Sequence, residues 1–144
     1  HTLHQDGWQA AYRHFSLTAP TPWFMAVTAE LALRVSTPQN VQAKIKENLT
    51  RKQSGQPVHE RTAGCIFQNP DGDSAGRLLD LAGMKGRRKG ALYFSPMHAN
   101  FMVHDTRCGI PGTCDDALEL IGEAIDAVRE RFGITLQLEV KEWP

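Results

Sequence analysis

The sequence carries no net charge, because sixteen lysine and arginine residues balance sixteen aspartate and glutamate residues in 144 positions. A protein without a net field does not attract nucleic acid or anionic lipid. Long hydrophobic runs are also missing. The longest apolar-rich stretch, residues 23–35, is broken by Thr28, Glu30 and Arg34 and is too short to span a bilayer. No signal peptide is recognisable. We therefore expect a soluble, cytoplasmic protein with no nucleic-acid or membrane partner.

Cysteine is scarce, and its spacing excludes the common metal motifs. The three cysteines, Cys65, Cys108 and Cys114, include no pair at the CxxC spacing. A zinc site normally needs such a pair or histidines at helical spacing, so we predict no metal. A disulfide between Cys108 and Cys114 is conceivable, but nothing in the sequence indicates an oxidising compartment. We expect all three thiols to be reduced.

The first third of the chain predicts a strand and then a helix. The opening residues, HTLHQDGW, contain no Met and no helix or strand signal, so we expect a piece cut from a longer protein. Residues 24–35 alternate in polarity, which predicts a strand. Thr37 and Pro38 suit the cap and first position of a helix that ends near residues 51–54. The apolar stripe of this helix, expected to be buried, consists of Val41, Ile45 and Leu49.

The remaining residues predict an α+β order. Ser74 is the expected N-cap of a short helix through Ala82, and ALYFS and NFMVHD predict two strands around the bend SPMHA. Thr113 and Asp116 predict a capping box for a long helix that Gly133 ends. Its expected inner face comprises Ala117, Leu118, Ile121, Ile125, Val128 and Phe132. The final ITLQLEV predicts a strand whose inward residues are Ile134, Leu136, Leu138 and Val140. The fold class predicted is α+β, a small mixed or antiparallel sheet packed with helices.

Several residues are candidates for chemistry, although none is specific alone. Cys65, in the stretch AGCIFQNP, is either a small buried hydrophobe or an accessible thiol near backbone N–H groups. Glu139 is either a solvated carboxylate or a functional acid on the polar face of its strand. Arg13 either covers apolar surface beside Tyr12 or contacts a substrate. The remaining candidates, which a turn alone would also explain, are His98 and Asn100.

Ordered sequence blocks carry a resemblance to a known family. AGCIFQNP resembles AGS-x-F-K-N-P, and SAGRLLDLAGMKG resembles S-A-G-x-L-I-x-x-A-G-L-K-G. SPMHANFMV resembles S-x-K-H-A-N-F-I-V, and FGITLQLEV resembles F-G-V-x-L-x-x-E-V. YR and RKQSGQP also fall where that family has Y-R-x-S and R-x-x-x-Q-P. The chain thus resembles the C-terminal half of the UDP-N-acetylenolpyruvoylglucosamine reductase (MurB) family.

The resemblance implies a reaction and its residues. Family members use NADPH to reduce FAD and then reduce UDP-N-acetylglucosamine enolpyruvate for peptidoglycan synthesis, and so for cell wall biogenesis, cell shape and cell division. By resemblance, Cys65 replaces the family's serine as general acid, helped by Glu139 and by Arg13, which also contacts the cofactor. The implied contacts to the UDP-sugar substrate are Asn69, Gln68, Tyr12, His98 and Asn100.

The resemblance also implies a domain division. Residues 1–37 correspond to the tail end of an FAD-binding domain, and residues 38–144 correspond to the substrate domain. The family's glycine-rich turns that hold the FAD pyrophosphate have no counterpart in this sequence. We therefore expect this chain alone to hold little or no flavin and to be inactive without the rest of the protein.

The chain departs from the family pattern at several positions. Gln68 and Met97 stand where the family has lysines, Ser16 is displaced by one position, and His104 replaces an asparagine. One hypothesis is that the missing positive charge is supplied by Arg77, Arg87 or Arg88. Two alternatives to the reductase stay open: a non-catalytic nucleotide-sugar-binding domain, or a related flavin oxidoreductase with a less anionic substrate.

Overall fold

The computed structural model describes residues 4–141, which divide into two compact units. The first unit ends at Ser36 and the second begins at Thr37. That the first unit is the tail of an FAD-binding domain stays a prediction. No helix among the described residues combines the length and the apolar character that a membrane crossing requires.

The first unit is built around a hairpin that the sequence did not predict. After a single 3-10 turn, strand β1 (Trp8–Ala11) pairs antiparallel with strand β2 (His14–Leu17). Ala11 pairs with His14, which leaves Tyr12 and Arg13 as a two-residue connection. The Trp8 and Phe15 rings stack with centroids 5.7 Å apart. Aromatic pairing across the strands stabilises a hairpin whose four-residue strands are too short to give a clear alternating pattern.

The strand predicted over residues 24–35 is wrong. No strand is assigned there, and its large apolar side chains are exposed, with Val27, Leu31 and Leu33 each more than 70% accessible. A strand is stabilised by hydrogen bonds to a neighbour. Among the described residues none pairs with this segment. The alternating polarity of residues 24–35 therefore predicted a strand, but the described residues contain no strand that pairs with it.

Helix α1 (Pro38–Gly55) begins the second unit as the sequence predicted. The Thr37 hydroxyl accepts a hydrogen bond from the Asn40 N–H at 3.2 Å, and proline occupies the first turn. The prediction that the apolar stripe of α1 is buried is wrong, because Val41, Ile45 and Leu49 are 46 to 53% exposed. The helix is therefore specified locally, by its cap and its proline, rather than by packing of that stripe.

A four-stranded antiparallel sheet forms the centre of the second unit. It contains β3 (Thr62–Cys65), β4 (Arg88–Lys89), β5 (Leu92–Phe94) and β6 (Phe101–His104), in the spatial order β3-β6-β5-β4. The predicted strands in ALYFS and NFMVHD are confirmed as β5 and β6, which pair with Tyr93 opposite Val103. The predicted α+β class, with a small antiparallel sheet and helices, is confirmed.

Two helices cover this sheet, and both begin at the predicted caps. Helix α2 (Ala75–Leu81) starts at Ser74, whose hydroxyl accepts from the Arg77 N–H at 3.3 Å. Helix α3 (Cys114–Phe132) starts with the Thr113–Asp116 capping box and ends at Gly133, whose φ of 69° is left-handed. The largest fully buried side chains of the core are Phe67, Phe94, Leu78, Leu79, Leu120, Val103 and Val128.

The predicted inner face of α3 needs one correction. Leu118 is 38% exposed, whereas Leu120 and Ala124, which the prediction left out, are fully buried. The buried stripe of α3 is therefore rotated from the predicted one, since it is centred on Leu120, Ile121, Ala124 and Val128. Periodicity fixes the spacing of a buried face, but tertiary packing decides its exact direction.

The predicted strand over residues 134–140 is also wrong as an element. It makes a single bridge, between Leu138 and Phe67, and Leu138 itself is 37% exposed rather than inward. Leu136 is buried as predicted. Three backbone hydrogen bonds still hold this segment beside residues 66–68. The Gln68 N–H donates to the Gln137 carbonyl at 2.8 Å, and the Ile66 carbonyl accepts from the N–H groups of Glu139 at 2.8 Å and Val140 at 3.5 Å.

Candidate active site

Cys65 ends strand β3 at an irregularity of the sheet. It pairs with Phe101 of β6, and the register shifts between Thr62 and Cys65. Gly64, between these two residues, has a φ of 88°, a left-handed backbone that glycine adopts without strain and in which any other residue would be strained. Bulges of this kind re-aim a side chain at the edge of a regular ladder. Cys65 is half-buried.

The chain brings Glu139 to the backbone next to Cys65. The Glu139 N–H donates to the carbonyl of Ile66, the residue that follows Cys65. Glu139 is half-buried and is 74 positions away in sequence, so only the tertiary fold makes the two residues neighbours along the backbone. The predicted catalytic roles of Cys65 and Glu139 stay predictions, now with a shared location.

Gln68 and Asn69 form hydrogen bonds within the fold. The Gln68 side-chain amide donates to the Leu138 carbonyl at 3.0 Å. The Asn69 side-chain oxygen accepts from the Ala75 N–H at the start of α2 at 3.0 Å, although the Asn69 side chain is exposed. Both residues follow Cys65 closely in sequence, and their bonds tie its segment to residue 138 and to the start of α2. Their contact with a substrate stays a prediction.

Asn100 lies in the interior and is 2% exposed. Its side-chain oxygen accepts from the Phe67 N–H at 2.9 Å, and its side-chain nitrogen donates to the Phe67 carbonyl at 2.8 Å. An asparagine side chain that forms this pair of bonds imitates a neighbouring backbone residue. The predicted substrate contact of Asn100 stays untested, but the geometry assigns its amide to Phe67.

His98 is packed between two elements and is half-buried. Its Nδ1 accepts from the Asn100 N–H at 3.2 Å, and its ring meets the Phe101 ring edge-on at a centroid distance of 4.9 Å. Burial lowers the pKa of His98 below its usual value, and the nearby Lys85 charge acts in the same direction. A neutral ring that accepts at Nδ1 carries its proton on Nε2.

Gly76 is the residue that sequence reasoning missed at this site. A Cβ added to it would lie 2.7 Å from Cε1 of His98. The sequence did contain a signal for it, because Gly76 is the glycine of the SAGR block. A glycine in a helix lowers helix stability, so its presence there indicates close packing against the backbone.

Tyr12 and Arg13 lie in the first unit, at the turn of the β1–β2 hairpin. Both are exposed, and the Arg13 guanidinium carbon lies 5.3 Å from the centre of the Tyr12 ring. Arg13 has a φ of 57°, a left-handed backbone that is uncommon for a side chain of its size. Tight turns commonly place one residue in this conformation, so the turn alone explains it, and the role of Arg13 stays a prediction.

The three arginines proposed to replace the family's lysines are each ion-paired. Arg77 forms a two-point pair with Asp73, Arg87 meets Glu123 at 2.9 Å, and Arg88 meets Asp105 at 3.2 Å. The hydrogen bond from Arg77 holds the pKa of the Asp73 carboxyl below its usual value. A substrate phosphate would have to compete with these carboxylates, so the compensation hypothesis gains no support from the geometry. The described residues also contain no cluster of three or more His, Cys, Asp or Glu side chains that could hold a metal.

Comparison with known proteins supplies the family. The family described as UDP-N-acetylenolpyruvoylglucosamine reductase, C-terminal domain, matches residues 56–143. The chain is 48% identical over 134 residues to the UDP-N-acetylenolpyruvoylglucosamine reductase of Oleidesulfovibrio alaskensis, covering 92% of this chain and 44% of that protein. It is 44% identical over 132 residues to the protein of the same name from Nitratidesulfovibrio vulgaris, covering 91% of this chain and 43% of that protein.

A solved structure agrees with the sequence comparisons. The crystal structure of UDP-N-acetylenolpyruvylglucosamine reductase (MurB) from Thermus caldophilus is similar to this fold, with a TM-score of 0.57 and 37% sequence identity. The similarity covers 74% of this chain and 36% of that one. This chain thus spans less than half the length of the relatives that it matches. It belongs to the UDP-N-acetylenolpyruvoylglucosamine reductase family, of which it contains the C-terminal domain.

Proposed function

We propose that this chain provides the substrate domain of a cytoplasmic UDP-N-acetylenolpyruvoylglucosamine reductase that uses NADPH and FAD. The reaction converts UDP-N-acetylglucosamine enolpyruvate to UDP-N-acetylmuramate for peptidoglycan. The observation that supports the proposal is the backbone hydrogen bond from the Glu139 N–H to the Ile66 carbonyl, because it brings the main chain of Glu139 next to the residue that follows Cys65 in a chain of this family.

We assign the substrate side of this chemistry to this chain and most of the flavin site to the rest of the complete protein. The first unit contains a single glycine among its described residues, Gly7, so it offers none of the glycine-rich turns that hold a pyrophosphate. Arg13 is the one flavin contact we assign to this chain. When bound in the complete protein, FAD would supply the hydride.

Cys65 donates the proton that completes the reduction. Hydride addition at the outer carbon of the enolpyruvyl group leaves negative charge on the carbon next to the carboxylate. That carbon takes the proton of the Cys65 thiol, and the thiolate is then reprotonated from water. A thiol with an ordinary pKa of about 8.5 is mostly protonated at neutral pH and releases its proton more readily than the hydroxyl of the family's serine.

Glu139 and Arg13 act on the charge that develops. In our assignment the guanidinium of Arg13 stabilises the enolate-like carboxylate by its positive charge, as preorganised cations do for developing anions. Glu139 orients the groups around the proton donor, since its backbone is fixed to the residue that follows Cys65. Neither role requires a metal ion.

The test is substrate-dependent NADPH oxidation by the full-length protein that carries this chain. We expect Cys65→Ala to lower kcat by about 10²- to 10⁴-fold, the usual worth of a general acid, and Cys65→Ser to keep most of the activity. Cys108→Ser is the matched control, because Cys108 is an exposed thiol in a different loop. Turnover of Cys65→Ala at the wild-type rate would refute the proposed acid.

A second substrate is favoured by one observation. Gln68 supplies no positive charge, and its side-chain amide already donates to the Leu138 carbonyl. An enzyme of the same type acting on a less anionic ligand would tolerate this. Calorimetry of UDP-N-acetylglucosamine enolpyruvate with the full-length protein decides the question. Absence of both binding and turnover would exclude the peptidoglycan substrate, and binding without turnover would favour a non-catalytic nucleotide-sugar domain.

A further inference from the structure

We infer that Asn100 is a positioning residue, which clamps the backbone of Phe67 and thereby fixes the segment that links Cys65 to Glu139. The inference deepens the proposed function and rests on it, since Cys65 and Glu139 matter only if the proton transfer takes place there. It assigns Asn100 a role through the protein backbone in place of direct contact with the substrate.

The clamp consists of three hydrogen bonds from one residue. The side chain of Asn100 bonds both the N–H and the carbonyl of Phe67, at 2.9 and 2.8 Å. The backbone carbonyl of Asn100 accepts from the Ile66 N–H at 2.9 Å. Asn100 is 2% exposed and Phe67 is 1% exposed, so water does not replace these bonds if they are lost. The ladder between β3 and β6 is thus continued past Cys65 by a side chain.

The opposite edge of the same segment holds Glu139. The Ile66 carbonyl accepts from the Glu139 N–H, and Phe67 bridges Leu138. Residues 66–68 therefore lie between Asn100 on one edge and residues 137–139 on the other. Any displacement of the Phe67 backbone shifts the positions of both Cys65 and Glu139. A positional error of about 1 Å in a reacting group is enough to lower a rate by two orders of magnitude.

His98 in turn holds Asn100. Its Nδ1 accepts from the Asn100 N–H, and its ring is confined by the Phe101 ring on one element and by Gly76 of α2 on another. The bend that contains His98 and Asn100 is therefore fixed against α2 independently of any ligand. His98 thus positions Asn100, and Asn100 positions Phe67, although Asn100 itself is buried.

The first experiment measures the clamp in this chain, without the reaction. Amide hydrogen exchange at Phe67 and the alkylation rate of Cys65, in a Cys108→Ser and Cys114→Ser background, are compared between wild type, Asn100→Ala and Asn48→Ala. We expect Asn100→Ala to raise Phe67 exchange at least tenfold and to change the Cys65 rate. Asn48→Ala, an exposed asparagine of α1, should change neither. Unchanged Phe67 exchange in folded Asn100→Ala overturns the inference.

Asn100→Asp keeps the inference testable if the alanine variant does not fold. A neutral aspartic acid reproduces both bonds to Phe67, whereas a carboxylate cannot donate to the Phe67 carbonyl. Protection of the Phe67 amide from hydrogen exchange should therefore be restored in this variant as the pH falls. The comparison is made with wild type at the same pH, because His98 titrates in both proteins and its effect then cancels. No restoration at any pH overturns the clamp.

The second experiment separates positioning from substrate contact in the full-length protein. Asn100→Ala should lower kcat by about tenfold to a hundredfold while KM changes by less than threefold. A rise in KM with kcat unchanged overturns the inference in favour of a substrate ligand. If Cys65→Ala is fully active, the proposed reaction fails while the exchange result at Phe67 still stands, so the two failures are distinguishable.

Discussion

Replacement of Gly76 by alanine tests how tightly α2 is packed against His98. An alanine in a helix is normally more stable than a glycine by about 0.5–1 kcal/mol. At Gly76 the new Cβ would lie 2.7 Å from His98 Cε1, so the ring must retreat by about 0.7 Å to reach the ordinary contact distance of 3.4 Å. The Nδ1 that accepts from the Asn100 N–H at 3.2 Å belongs to the same ring, so we expect the retreat to break this hydrogen bond as well.

The expected sign follows from these magnitudes. Overpacking costs about 1–3 kcal/mol, and loss of the hydrogen bond costs about 0.5–1.5 kcal/mol. Together these two costs exceed the helical gain, so we expect Gly76→Ala to lower the free energy of unfolding by about 1–3 kcal/mol. The assay is urea unfolding followed by far-ultraviolet circular dichroism, because all the described α-helices lie in the second unit.

Gly122 of α3 is the matched control, since a Cβ added there meets nothing within 4 Å. Gly122→Ala should raise the free energy of unfolding by about 0.5–1 kcal/mol. In a His98→Ala background, Gly76→Ala should lose most of its cost, which a double-mutant cycle measures as coupling. Equal effects of the two alanine substitutions, or a cycle with no coupling, would refute the packing argument.

Three further predictions concern His98, Thr113 and Arg13. Burial lowers the folded pKa of His98 below the unfolded value of 6.5, so the unfolded chain binds more protons between the two pKa values. The contribution of His98 to the free energy of unfolding should therefore be complete above about pH 6.5 and should decrease as the pH drops toward the folded pKa. Urea unfolding of His98→Phe at several pH values should lack this dependence. Thr113→Ala removes the hydroxyl that accepts from the Asp116 N–H at 3.0 Å, and should cost about 1 kcal/mol in the same unfolding assay. Arg13→Gly relieves a left-handed φ of 57°, so backbone chemical shifts should show that the hairpin persists, and its stability should be unchanged or higher by about 1 kcal/mol. NADPH oxidation by the full-length protein should fall in this variant. Unchanged turnover would exclude Arg13 from catalysis.

Local signals determined the helices of this protein. The caps Thr37, Ser74 and Thr113 and the stop at Gly133 were predicted because a side chain or a glycine satisfies the helix terminus within a few residues in sequence. The strands β5 and β6 flank a short bend and are neighbours in sequence, so their pairing was predictable too. The ordered motifs that carry the family resemblance were also readable without a structure.

Only the tertiary structure decided which segments find partners. The segments 24–35 and 134–140 alternate as strands do, yet neither is a strand among the described residues, because a strand depends on hydrogen bonds to a neighbour that its own sequence does not specify. The apolar stripe of α1 is exposed for the same kind of reason, since burial requires a packing partner.

The candidate site shows the same division. The sequence picked out Cys65, Glu139 and Asn100 as separate residues with uncertain roles. The structure gave Asn100 its bonds to Phe67 and set Glu139 against Ile66, contacts that span 33 and 73 positions of the sequence. Sequence determines what each residue can donate or accept, whereas only the folded backbone determines which group is close enough to receive it.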